Sequence, residues 1–259
     1  MIVIKSPAEI KEMKKSCQLA AEVLDYIQDF IVEGTSTEKI NTLCHNYIVE
    51  RSAIPAPLNY RGFPKSVCTS VNEVVCHGIP DDRILEDGDI INVDVTTILN
   101  EWHGDTSRTF YVGKCSRQVR QLVEATEEAL WRGIKVVKPG AHFGDIGHAI
   151  QSFIEPLNYS IVREYCGHGI GKTFHEDPHV VHYGSKGNGE MIKSGMTFTI
   201  EPMINLGKAE VVLLDDDWTV ETRDRKLSAQ FEHTIAVHED HVDVLTISPK
   251  SKRDPIISW

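Results

Sequence analysis

Residues 30–50 read FIVEGTSTEKINTLCHNYIVE, and residues 135–155 read KVVKPGAHFGDIGHAIQSFIE. The runs align with Gly34 on Gly140, Ile40 on Ile146, Tyr47 on Phe153 and Ile48 on Ile154, each pair 106 residues apart. In both, a glycine separates two segments whose apolar residues recur at helical spacing. The first segment opens at Ser6-Pro7-Ala8-Glu9, a capping box with proline at the first helical position. Ile10, Met13, Cys17, Ala20, Ala21, Leu24 and Ile27 then share a face, and a second helix capped at Thr35-Ser36-Thr37-Glu38 carries Ile40, Leu43, Cys44, Tyr47 and Ile48. In the second half, Val119, Leu122, Val123, Thr126 and Leu130 precede Gly140, and Ile146, Ala149, Ile150, Phe153 and Ile154 follow it.

The similarity continues beyond the helices. LEDGDIINVD (85–94) resembles IKSGMTFTIE (192–201), with Gly88 on Gly195 and Asp94 on Glu201, each pair 107 residues apart. Two amphipathic helix pairs can look alike by chance, but strands that agree at nearly the same spacing argue for duplication. A unit of half the chain is too long for a solenoid repeat. The expectation is two α/β halves, about 1–115 and 116–259, packed into a single domain so that equivalent strands face a shared centre. In both halves the strand ends in a carboxylate.

Those carboxylates set the chemistry. In DIINVDVTTIL, Ile91, Val93 and Val95 fall on one face of a strand and Asn92, Asp94 and Thr96 on the other. Asn100-Glu101 reads as a turn and WHGDTSRTFYV as the returning strand. Pairing of residue 99 with 102 places 96 opposite 105 and Asp105 diagonal to Asp94, with β-carbons roughly 7 Å or less apart. A lone aspartate there usually caps a turn or is solvated. Two aimed into one space repel unless a proton or a cation lies between them, which shifts the reading toward metal. Glu201 in MTFTIEPM and Glu232 in LSAQFEHTIAV sit in apolar, strand-like runs, where an acid is seldom buried unless paired. His168, between glycines in YCGHGIG, completes an oxygen-rich set suited to two divalent ions.

A competing signal lies nearby. His175-Glu176-Asp177-Pro178-His179 matches HExxH, two histidines one helical turn apart around a glutamate base. Pro178 removes a backbone donor and drives Asp177 out of the helical region, while Gly167, Gly169, Gly171 and Gly184 mark loop and strand. The zinc-protease helix is therefore not expected. GHGIGK has the spacing of neither dinucleotide nor P-loop glycines, and no nucleophile elbow or thiol-nucleophile signature occurs.

The sequence of 259 residues is 41% hydrophobic and 25% charged, ordinary for a globular protein. A net charge of −11 opposes general binding to DNA or an anionic membrane, and no apolar run approaches a membrane span. MIVIKSPAEIKEMKKS turns charged too early for a signal peptide, and the six scattered cysteines offer neither a disulfide framework nor a cysteine zinc site. A cytoplasmic protein is expected.

Asp94, Asp105, His168, Glu201 and Glu232, in that order and within GFPKSVCTSVNEVVCHGIP, NVDVTTILNEWHGDTSRTF, REYCGHGIGKTFHEDPHV, GMTFTIEPM and SAQFEHTIAV, resemble the type I methionine aminopeptidases. The resemblance runs from near residue 4 to about 247. It implies the α/β (α+β) pita-bread fold, pseudo-two-fold, with an antiparallel sheet core and two helix pairs. The implied activity is removal of N-terminal methionine from chains whose second residue is small, by a metal-held hydroxide. Two divalent ions, manganese, iron, cobalt or zinc, are implied, with Asp94 on one, Asp105 and Glu232 bridging, and His168 and Glu201 on the other. Glu201 would shuttle protons, His175 would donate to the scissile carbonyl, and His77 would lie beside the substrate's first residue and amide. Tyr60, Phe63, Cys68, Phe174 and Trp218 fall on the methionine pocket, where Pro57 and Phe63 replace the family's frequent cysteine and tyrosine. His179 and His182 keep a packed, structural reading.

The family acts on nascent chains near the ribosome, and a monomer is expected. The hairpin candidate LLDDDWTVETRDRK (213–226) carries Asp215, Asp216 and Asp217, whose charge would oppose docking on rRNA. Two alternatives are a non-catalytic pita-bread protein that binds peptides or partners, and a proline-specific peptidase of the same fold. The intact ligand set speaks against the first. The second class usually carries an additional N-terminal domain, whereas this chain begins at its first repeat helix.

Overall fold

The structure, a computed structural model, describes residues Met1–Trp259. Four helices occupy the expected places: α1 (Pro7–Ile27), α2 (Thr37–Glu50), α3 (Arg117–Lys135) and α4 (Phe143–Ile154). Ser6 and Glu9 form the capping box of α1, and the Ser36 side chain caps α2 by accepting from the Lys39 N–H at 3.1 Å. The helix pairs cover one face of a ten-stranded sheet whose pairings are all antiparallel. Ile91, Val93 and Val95 pack beneath Leu24, Ile27, Ile40 and Ile48, whereas Phe198, Ile200 and Ile235 pack beneath α3 and α4. Burying each such side chain contributes about 1.5–3 kcal/mol, so the helix-covered face supplies most of the driving force. The opposite face is free to carry polar groups.

The duplication is written into the backbone. The Gly34 N–H donates to Leu85 O at 2.9 Å and the Gly140 N–H to Ile192 O at 3.0 Å. Leu85 and Ile192 return bonds to Thr35 O and Ala141 O at 2.9 and 2.7 Å. Isolated bridges join Ser36 to Ile84 and His142 to Met191. Gly34 and Gly140 both have φ of +86°, a left-handed turn that glycine enters without a Cβ penalty. Equivalent glycines therefore turn the chain identically between the two helices of each pair.

The central hairpin, Ile90–Leu99 with Trp102–Tyr111, has the expected register: Leu99 faces Trp102, Thr96 faces Asp105 and Asp94 faces Ser107. Strand Glu232–Val237 joins it with Glu232 opposite Ser107, followed by Thr197–Ile200, Gly167–Gly169 and the edge strand Glu176–Val180. Thus HEDPH continues into an edge strand, not a helix. Four residues of extended chain span roughly 13 Å, against roughly 6 Å over one helical turn, so His175 and His179 lack the spacing of the zinc-protease helix. The candidate hairpin also forms, from Val211–Leu213 and Val220–Thr222. No helix is long and apolar enough to cross a membrane.

Candidate metal centre

Strand alternation aims the acidic side chains off the face opposite the helices. Asp105, His168 and Glu232 each present a ligand atom within 4.8 Å of the others. His168 Nε2 lies 3.5 Å from Asp105 Oδ2 and 3.9 Å from Glu201 Oε1. Asp94 stands beside them, across from Ser107, and its buried Oδ1 has no hydrogen-bond partner. His168 Nδ1 is 2.9 Å from Gly169 O. A carbonyl only accepts, so the proton resides on Nδ1 and the Nε2 lone pair faces the carboxylates. The glycines flanking His168 serve close backbone packing: a Cβ on Gly167 would come within 2.4 Å of Thr199 O, and one on Gly169 within 2.0 Å of Asp177 O.

The electrostatics are those of crowded anions. Burial, then the neighbouring Asp105 and Glu201 charges, holds the Asp94 carboxyl well above the carboxylate range, and burial followed by the same two neighbours does so for Glu232. Burial lifts Glu201 to about 7, with the Asp105 charge adding to it and His168 opposing. Burial works against protonation of His168, yet Asp105 and Glu201 beside it raise its pKa. Oxygen-rich donors, mutual repulsion and an orphaned Asp94 oxygen fit a divalent cation better than they fit each other.

These groups form part of the wall of a cavity of about 510 Å³ that all the ligand, proton-transfer and pocket residues named above line. Phe63 meets Trp218 edge-on at 5.1 Å between centroids, and Tyr60 lies tilted against Phe174 at 4.8 Å. Cys68 sits across the strand pair from Asp94, which puts a thiol on the pocket side of the carboxylates. His77 contacts Tyr165 and Trp218 edge-on, and burial lowers its pKa to about 4. His175 is open to the cavity, its ring centroid 4.2 Å from that of His168 and its Nδ1 2.9 Å from the Tyr60 hydroxyl. Loss of bulk water around it, with His168 alongside, lowers its pKa to about 3.

Glu176 also borders the cavity, but its carboxylate pairs with Lys5, whose side chain is 3% exposed, while Asp177 holds the Met1 amino group. His179 Nδ1 lies 3.7 Å from Cys166 Sγ. Three polar residues to which the motifs give no role also belong here. Thr96 donates to Asp105 Oδ1 at 2.7 Å, Thr199 to Glu201 Oε1 at 2.7 Å, and Gln230 to Glu201 Oε2 at 3.3 Å. Each lies two residues from a carboxylate on its own chain, and that alternation is the signal that could have found them.

The chain matches the model of metallopeptidase family M24 over residues 11–239. It is 53% identical over 250 residues to a methionine aminopeptidase of Rickettsia prowazekii, with 96% of each chain covered. It is 51% identical over 259 residues to the methionine aminopeptidase of Escherichia coli strain K12, covering 99% of this chain and 98% of that one. Crystal structures of methionine aminopeptidases from R. prowazekii and Thermotoga maritima superimpose with TM-scores of 0.94 and 0.93, at 53% and 38% identity. Each covers 95% of this chain, aligned over 100% and 99% of its own length respectively. With its carboxylate–histidine cluster set on that same sheet, the chain belongs to metallopeptidase family M24, among the methionine aminopeptidases.

Proposed function

We propose that this chain is a single catalytic domain that removes the N-terminal methionine from peptides and nascent chains with a small second residue. The observation that carries the reading is the meeting of Asp94, Asp105, His168, Glu201 and Glu232 at one wall of a cavity with aromatic and thiol groups beside them. In this reading the five residues hold two divalent ions, with manganese, iron, cobalt and zinc all compatible with the donors. Bound there, the ions would polarise the scissile carbonyl and lower the pKa of a water molecule. The enzyme would act as a cytoplasmic monomer on chains leaving the ribosome.

The protein's own groups do the rest. Glu201 takes a proton from water and passes it to the leaving amine. With the Tyr60 hydroxyl as donor to His175 Nδ1, the proton of the neutral ring would lie on Nε2, directed to the oxygen on which charge develops. His77 orients the substrate's first residue and amide. Tyr60, Phe63, Cys68, Phe174 and Trp218 surround the methionine side chain, whose polarizable sulfur packs well against aromatic edges. His175→Ala should retain metal yet lose roughly 10²–10³ in kcat, the scale of one oxyanion donor. Metal content and kcat measured together check this, and loss of metal would make His175 a ligand instead.

Chelated protein, verified metal-free by elemental analysis, should release no methionine from Met-Ala-Ser, and added manganese, cobalt or iron should restore release. Mass spectrometry of the products reads the outcome. Unchanged turnover without metal would sink the proposal. Cleavage confined to Xaa-Pro bonds would favour the proline-specific alternative, which no feature of the cavity supports.

A further inference from the structure

His182 is fully buried, two residues beyond the edge strand Glu176–Val180, and none of the steps above uses it. Its Nε2 accepts a hydrogen bond from the backbone N–H of Glu201 at 3.0 Å. Its Nδ1 is buried with no partner. Because Nε2 accepts, the proton of the neutral ring must sit on Nδ1, where nothing receives it. A buried donor left unpaired is unfavourable. A leucine would fill much of the space without that penalty, so packing alone does not account for the residue.

Local backbone geometry explains what the ring supplies. Glu201 lies one residue past strand Thr197–Ile200 and directly before Pro202, which confines it to an extended conformation and ends the ladder. The neighbouring strand Gly167–Gly169 pairs with Thr197–Ile200 only at Gly169 and Phe198. Beyond that point the His168 N–H turns to Thr199 Oγ1 at 2.9 Å. The Glu201 amide has thus run out of ladder, and the imidazole stands where a strand carbonyl would be. Thr199 and Gln230 secure the two carboxylate oxygens of the same residue.

We propose that His182 is a positioning residue for Glu201, fixing its backbone so that Thr199 and Gln230 can set the carboxylate toward His168 and the reacting water. The inference rests on the reading that Glu201 works in the centre. It is tested with His182→Leu, which removes the acceptor, His182→Gln, whose Oε1 reaches the Nε2 position, and His182→Asn, whose shorter side chain does not. Three experiments are made: steady-state kinetics on Met-Ala-Ser for kcat and KM, manganese binding to metal-free protein by calorimetry, and hydrogen exchange of the Glu201 amide in metal-free protein.

The expected result is a kcat lower by roughly tenfold in His182→Leu, the scale of one lost hydrogen bond, with KM little changed. Manganese binding should weaken, and exchange should quicken at Glu201 while core amides stay protected. His182→Gln should recover most of the kcat loss. Wild-type kcat, metal binding and Glu201 exchange in His182→Leu would overturn the proposal. So would uniformly faster exchange with no recovery in His182→Gln, since that describes a structural residue only. Should His182→Leu not fold, His182→Gln must exceed His182→Asn several-fold in kcat, and equal values overturn the idea. An active Glu201→Gln enzyme removes the underlying assignment. An inactive one, with undisturbed Glu201 exchange in His182→Leu, removes the His182 inference alone.

Discussion

In Asp105→Asn, turnover of Met-Ala-Ser is expected to fall by roughly 10³-fold or more, because in the proposed centre metal-assisted stabilisation of several kcal/mol would depend on this anion. Asp105 is 4% exposed and sits in the tight group with His168 and Glu232. Its Oδ1 receives the Thr96 hydroxyl, and its Oδ2 lies 3.5 Å from His168 Nε2. Asparagine keeps the shape, and the Thr96 hydroxyl can rotate to accept from the amide, so the fold tolerates the change. What disappears is a negative charge assigned to both ions, and binding of the second ion should weaken in calorimetry. The metal-free variant should behave oppositely. The Asp105 charge contributes to raising Asp94 and Glu232, so its removal relieves repulsion, and the melting temperature without metal should equal or exceed the wild type's. Wild-type stoichiometry together with wild-type rate would remove Asp105 from the site.

The carboxylate face was legible because its signals are local. A turn at Asn100-Glu101 and strict alternation in DIINVDVTTIL suffice to set Thr96 against Asp105, and the structure has that register. The paired glycines Gly34 and Gly140 were legible because a left-handed turn leaves little choice of residue. Gln230 was not, although it lies two residues before Glu232, because an uncharged polar residue at the end of a strand carries no sign of what lies across from it. Lys5 and Glu176 are 171 residues apart, beyond any periodicity. Asp216 shows a subtler limit. Read as surface charge beside Asp215 and Asp217, it in fact accepts from the Trp218 and Thr219 N–H groups at 2.9 and 2.7 Å. It thereby shapes the turn that delivers Trp218 to the cavity. His182 has no flanking motif, and its partner is a backbone amide that no side-chain pattern reveals.

Glu201→Gln is expected to cost at least roughly 10²-fold in kcat/KM, the low end for a general acid–base, with further loss from weakened ligation. Glutamine can keep the Thr199 contact but can neither carry a proton from water to the leaving amine nor offer a charge. Glu176→Gln and His179→Ala should each keep bound metal and activity within about tenfold, the effect of local rearrangement worth about 1.4 kcal/mol or less. The structure gives both residues other work. Glu176 neutralises a lysine that burial brings down to about 8, a charge that can leave as a proton when its partner is lost. His179 stands on an edge strand against Cys166. Were HEDPH a zinc helix, Glu176 would be the base and His179 a ligand, and either substitution would be ruinous. The decisive measurement is kcat/KM on Met-Ala-Ser for the three variants with metal content determined in parallel. An inactive Glu176→Gln beside an active Glu201→Gln would overturn the carboxylate centre and return the zinc-protease reading. The opposite ranking leaves HExxH as a coincidence of composition, broken by Pro178 and folded into a strand.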